Sequence, residues 1–190
     1  FMKFNPFNLI SKALKRWIPK SKTQERTDFL KKIINFAHHC GVAGGGGDYL
    51  EFGVFKGSNF SEVYRIAKAK KLTDMRFFAF DSFEGLPEGS EKEFGQFAEG
   101  EYSASLERFN ANLQKSGVDL KDVQAVKGWF KDMLNAETKK RLGLKSAAII
   151  WIDSDLYESA VPVLDFITDL VVDGTILVFD DWFFFKGNPN

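Results

Sequence analysis

A single cysteine, Cys40, in 190 residues excludes an internal disulfide, so packing alone must hold the fold and a reducing cytoplasm is the expected setting. No apolar run approaches the ~18 residues needed to cross a bilayer. The start also lacks the continuous apolar core and small-residue cleavage site of a signal peptide. Charge of one sign is missing too, since 26 Lys plus Arg balance 26 Asp plus Glu. Nucleic acid is therefore not expected as the main partner, because phosphate binding needs a basic surplus. At 44% hydrophobic and 27% charged, the composition excludes disordered and low-complexity classes. What the chain does have is phenylalanine, 21 residues of it, and a length that lets one domain bury roughly 70% of its unfolded surface.

Asn5-Pro6 marks a helix start, and Phe7, Ile10, Leu14, Trp17 and Ile18 recur at helical spacing until Pro19. Residues 1–28 hold seven basic side chains against Glu25 and Asp28. This basic amphipathic arm suits docking on its own domain or on a second subunit, in a dimer, better than a membrane surface. A second amphipathic stretch, Thr27 to Cys40, offers Phe29, Leu30, Ile33, Ile34, Phe36 and Ala37 to the domain. His38 and His39 close it, where a helix C-terminus tolerates a cation. Residues 1–40 thus read as helical arm or lid, Gly44–Gly47 as connector, and 48–190 as the main domain.

From Tyr49 onward short β-rich runs alternate with helical stretches, the pattern of an α/β fold with a doubly wound, mainly parallel sheet. Strands are expected at Tyr49–Phe55, Arg76–Asp81, Val123–Lys127, Ala147–Asp153 and Thr175–Asp180. Helices are expected at Ser58–Lys70, Tyr102–Lys115, Phe130–Arg141 and Tyr157–Val171. Ligands of such sheets bind outside the carboxyl ends of the strands, so the residues that finish each run are candidates.

The first run ends in Glu51-Phe52-Gly53-Val54-Phe55-Lys56-Gly57-Ser58-Asn59, two glycines four apart between strand and helix. A dinucleotide fingerprint has glycine where Glu51 stands, to seat a pyrophosphate; a carboxylate there repels phosphate and suits a cationic or amine-bearing ligand. A structural glycine turn is the plainer reading. Asn59 three residues before Glu62 has capping-box spacing, and Ser58 is a second candidate cap. The second run ends in Asp81, able to accept from two ribose hydroxyls or to start the turn Ser82–Pro87. Residues 81–101 carry seven acids and one base, Lys92, as a solvated loop would. The fourth run ends in Asp153-Ser154-Asp155 and the fifth in Asp180-Asp181, so adjacent strands gather carboxylates that recruit a hard cation such as Mg²⁺. Asp155 with Glu158 is also a capping-box pattern.

In four segments the sequence resembles the macrocin O-methyltransferase family, S-adenosylmethionine- and Mg²⁺-dependent enzymes acting on sugar hydroxyls of natural products. These are Tyr49–Gly57, Phe80–Pro87, Trp151–Tyr157 and Val178–Trp182, in the family's order. The resemblance implies a class I methyltransferase (Rossmann-like) fold with N-terminal helices. It places Glu51, Gly53 and Gly57 at the cofactor's amino-acid end, Asp81 at its ribose, Gly128 and Trp129 near the adenine, and Ser58, Ser82 and Asp153 also in the cofactor site. It makes Asp153, Asp180 and Asp181 metal ligands, with Asp155 or a metal-bound carboxylate such as Asp153 as catalytic base and a hydroxylated small molecule as acceptor. Family members continue beyond the Asp-Asp pair with a helix and two strands, whereas eight residues follow Trp182 here, so the sheet is expected to lack its last strands. Two other classes fit parts of the pattern: a metal-dependent phosphohydrolase using D-x-D, which leaves Glu51 and Asp81 without a task, and a non-catalytic nucleotide-binding protein.

Overall fold

Each apolar run becomes a strand because its alternate residues find a hydrophobic layer on both sides. The computed structural model describes residues 23–87, 100, 102–154 and 156–180. The arm expected before Pro19 lies outside them, as do Asp155, Asp181 and Trp182. The strands are β1 (Asp48–Phe52), β2 (Phe77–Asp81), β3 (Val123–Lys127), β4 (Ala147–Ile152) and β5 (Val171–Phe179). They form one parallel sheet in the order β3-β2-β1-β4-β5, with the topological switch between β1 and β4.

One sheet face presents Tyr49, Phe77, Ile149 and Trp151 to three helices: α1 (Thr23–His39), α2 (Ser58–Ala69) and α3 (Leu106–Lys115). The other face presents Leu50, Phe52, Phe78, Phe80 and Ile150 to α4 (Phe130–Met133), α5 (Ala136–Leu142) and α6 (Tyr157–Ile167). Phenylalanine dominates this second layer. Phe52 stacks on Phe80 at 4.7 Å, and Phe166 of α6 meets both rings edge-on at 6.1 and 5.8 Å. At the amino end of the sheet the Arg76 guanidinium donates to buried Asp48 at 2.7 and 2.8 Å and to the carbonyls of Leu142 and Gly143. That joins β1, β2 and the end of α5 at the edge opposite the strand tips.

Element bounds differ from the expectation where a local hydrogen bond decides. The helix expected over Phe130–Arg141 is two, because the Asn135 side chain accepts from Thr138 N–H and starts α5 anew. Ser105 caps α3 in the same way, so that helix begins at Leu106 and not at Tyr102. β5 starts at Val171, which pairs with Ala147, and α6 ends at Ile167. β1 stops at Phe52 because Gly53, at φ +83°, turns the chain.

Candidate active site

Parallel pairing carries the sheet one residue past its strands, and those residues are the candidates. Gly53 N–H donates to Phe80 carbonyl oxygen at 2.9 Å, Asp153 N–H to Phe52 at 2.9 Å, Asp180 N–H to Ile152 at 3.0 Å and Gly128 N–H to Asp81 at 3.0 Å. The tips of all five strands are thereby set beside one another. Around them opens a cleft of about 300 Å³, lined by Gly53, Asp81, Ser82, Gly128, Trp129, Asp153 and Asp180. Seven residues singled out in sequence thus share one concavity, bordered by Ser154 and Ser159 and by the apolar side chains of Phe55, Leu86, Tyr102 and Phe130.

Gly53 can be nothing but glycine there. Its φ is left-handed, and a Cβ would stand 1.8 Å from the carbonyl oxygen of Asp153. Gly57 is also left-handed, yet its missing Cβ makes room for Phe109 and Leu113 of α3, and neither it nor Ser58 lines the cleft. The helix-start reading of this turn is corrected as well: Gly57 occupies the N-cap position of α2, and no side chain caps it.

Asn59 turns inward. Its amide donates to the Tyr49 hydroxyl at 3.2 Å and to Glu51 at 3.1 Å, and the Tyr49 hydroxyl donates to the same Glu51 oxygen. Glu51 is 2% exposed, and this burial pushes its carboxyl up to about 8 against the pull of Tyr49, Asn59 and Arg26. The negative charge expected of Glu51 is therefore largely absent at neutral pH, and Glu51 sits behind the cleft rather than in its wall.

Asp81 takes up the turn-starting reading and also lines the cleft. One carboxylate oxygen accepts the N–H groups of Val54 and Phe55 at 2.8 and 3.1 Å, and the other accepts Phe83 N–H at 2.7 Å. It ties the β1 turn to the β2 turn. Of roughly four acceptor positions on a carboxylate, about one remains for a ligand, which allows one ribose hydroxyl more readily than two.

On the β4–β5 side α1 approaches Asp180 of the cleft wall. Arg26 lies 3.8 Å from the Asp180 carboxylate and 5.5 Å from the centre of the Trp151 ring. Among the described residues no three His, Cys, Asp or Glu side chains are grouped to hold a metal; Asp153 and Asp180 share the cleft wall.

A family model described as macrocin-O-methyltransferase (TylF) matches residues 21–188. The chain belongs to this family. It is 31% identical over 165 residues to an 8-demethyl-8-(2,3-dimethoxy-alpha-L-rhamnosyl)-tetracenomycin-C 4'-O-methyltransferase of Streptomyces olivaceus, covering 83% of this chain and 60% of that protein. It is 27% identical to a mycinamicin III 3''-O-methyltransferase of Micromonospora griseorubida, over 80% of this chain and 63% of that one. The chain thus spans about three fifths of the length of these relatives. Among solved structures, the O-methyltransferase NovP superposes with a TM-score of 0.64 at 25% identity, covering 79% of this chain and 64% of NovP. The calicheamicin methyltransferase CalS11 gives 0.67 at 19% identity, covering 94% of this chain and 72% of CalS11, a likeness of fold.

For a macrocin O-methyltransferase family member, several residues of this site were invisible in sequence. Arg26 arrives from a helix far away in the chain, and no local pattern marks it. Tyr49 was legible in principle, since residues two apart on a strand share a face and Tyr49 must accompany Glu51. Asn59 and Trp151 carry the two buried side-chain polar atoms without a hydrogen-bond partner among the described residues, Asn59 Oδ1 and Trp151 Nε1. Both flank Glu51: Asn59 bonds to it, and Trp151 faces it in the β1–β4 register. Native interiors leave few such atoms, so the two mark unspent polar capacity beside Glu51, behind the cleft wall.

Proposed function

We propose that this chain forms the cofactor-binding part of an S-adenosylmethionine-dependent O-methyltransferase whose acceptor is a hydroxyl of a sugar or glycosylated small molecule. One observation carries the reading: in a member of this family, the cleft at the strand tips brings together Gly53, Asp81, Ser82, Gly128, Trp129, Asp153 and Asp180. The relatives' names supply the acceptor class.

Asp81 would take a ribose hydroxyl, Gly128 and Trp129 the adenine side, and Gly53 and Asp153 the amino-acid end, with Glu51, Gly57 and Ser58 shaping the turn behind it. S-adenosylmethionine, when bound, supplies an electrophilic methyl group. Asp153 or Asp155 would take the acceptor's proton as the O–C bond forms and the S–C bond breaks. Asp153, Asp180 and Asp181 are the proposed holders of Mg²⁺ or a similar divalent cation, which would lower the pKa of the acceptor hydroxyl. Holding both reactants in line should supply roughly 7–11 kcal/mol relative to free encounter. A cytoplasmic location and a homodimer belong to the same proposal.

Titration calorimetry with S-adenosylmethionine tests it. Micromolar binding supports the methyltransferase reading. No binding, with turnover of a phosphomonoester, would move the D-x-D segment to a hydrolase role.

A further inference from the structure

The cofactor proposed above carries an α-carboxylate, and the amino-acid end of the site is lined by acids. Asp153 and Asp180, one residue beyond β4 and β5, stand in the cleft wall and would repel such an anion. Two cations elsewhere around the cleft are held: Lys127 by Glu84 at 3.1 Å, and Lys56 over the Phe55 ring at 4.4 Å. On the β4–β5 side the described cation is Arg26.

Three features set Arg26 apart. Its approach to Asp180, 3.8 Å, is an ion pair too long for a hydrogen bond, so its fork of five donors retains capacity. It lies in the first turn of α1, where the helix dipole disfavours a cation but favours an incoming anion. The indole beneath it, 2% exposed, gives the guanidinium a buried ring face to rest on, 5.5 Å from the ring centre. A carboxylate already stands within reach of the guanidinium, in the person of Asp180.

We propose that Arg26 docks the α-carboxylate of the cofactor's amino-acid end. The inference rests on the S-adenosylmethionine reading. It gives α1 a task in the site: the helix closes against the cofactor through one charge.

The test compares two ligands that differ only in that carboxylate, S-adenosylmethionine and its decarboxylated form, by calorimetry on the 190-residue chain. Wild type should prefer S-adenosylmethionine by roughly ten- to a hundred-fold. Arg26→Ala should weaken S-adenosylmethionine by a similar factor and leave the decarboxylated ligand within about two-fold, with Arg26→Lys between. Equal wild-type affinities for the two ligands would overturn the inference without any variant. So would Arg26→Ala weakening both ligands alike, or neither. Wild type binding neither ligand would instead bring down the cofactor reading, and this inference with it.

Discussion

Gly53 touches Asp153 backbone to backbone: a Cβ on the first would lie 1.8 Å from the carbonyl oxygen of the second. The turns leaving β1 and β4 are therefore in direct contact at the topological switch.

Gly53→Ala should distort that contact and force an alanine into a left-handed φ. We expect a loss of about 2–5 kcal/mol, the sum of backbone strain and overpacking, seen as a lower urea midpoint. A variant as stable as wild type would show that the two turns separate easily.

Asp81→Ala removes the acceptor of three backbone N–H groups as well as a ligand contact. Stability should fall by about 1–3 kcal/mol, and affinity for S-adenosylhomocysteine by at least ten-fold. Thermal melts and calorimetry on one sample separate the effects. An unchanged dissociation constant would remove Asp81 from the ligand's surroundings.

Glu51 makes stability depend on pH in a direction opposite to a salt-bridged carboxylate. Its folded pKa is raised to about 8 from 4.5, so between those values the unfolded chain has lost a proton that the folded chain keeps. The contribution is full below about 4.5 and is lost as pH rises through about 8, a change on the order of several kcal/mol. Wild-type unfolding free energy should decline across this window, and Glu51→Gln should flatten the decline. Parallel profiles for the two proteins would place the dependence elsewhere.

The carboxylates of the fourth and fifth strand tips are tested by chelation. In a full-length protein with a competent acceptor, Asp180→Asn and EDTA treatment should each reduce methyl transfer steeply while S-adenosylhomocysteine affinity stays within a few-fold. Asp155→Asn distinguishes base from cap: a cap tolerates asparagine, whereas loss of a base abolishes turnover with metal still bound. Full activity after chelation, with no divalent ion by elemental analysis, would dismiss the metal.

The strands and their polar tips were legible because a doubly covered strand is an uninterrupted apolar run, and the first residue beyond it can face solvent or ligand. Asp81, Asp153 and Asp180 stood out on that ground alone. Asn59 did not: its spacing to Glu62 obeys a local capping rule, but a buried carboxyl eight residues earlier in the chain offered it a stronger partner. The raised pKa of Glu51 and the place of Arg26 follow from burial and long-range packing, quantities that no window of neighbouring residues contains. The break after Met133 was hidden for the opposite reason, since Asn135 within a helical pattern looks like ordinary surface.

Gly53, Asp153 and Asp180 each hang by one amide from the strand beside them, so their spacing is that of the sheet itself and owes nothing to the connections above. Heritable change in those connections is therefore cheap. A lineage can lengthen, shorten or recompose the segment after β2 and admit a differently shaped molecule while the donors beneath keep their positions. Only the start of that segment, where Ser82 lines the cleft and Phe83 N–H binds Asp81, ties it to the strand tips.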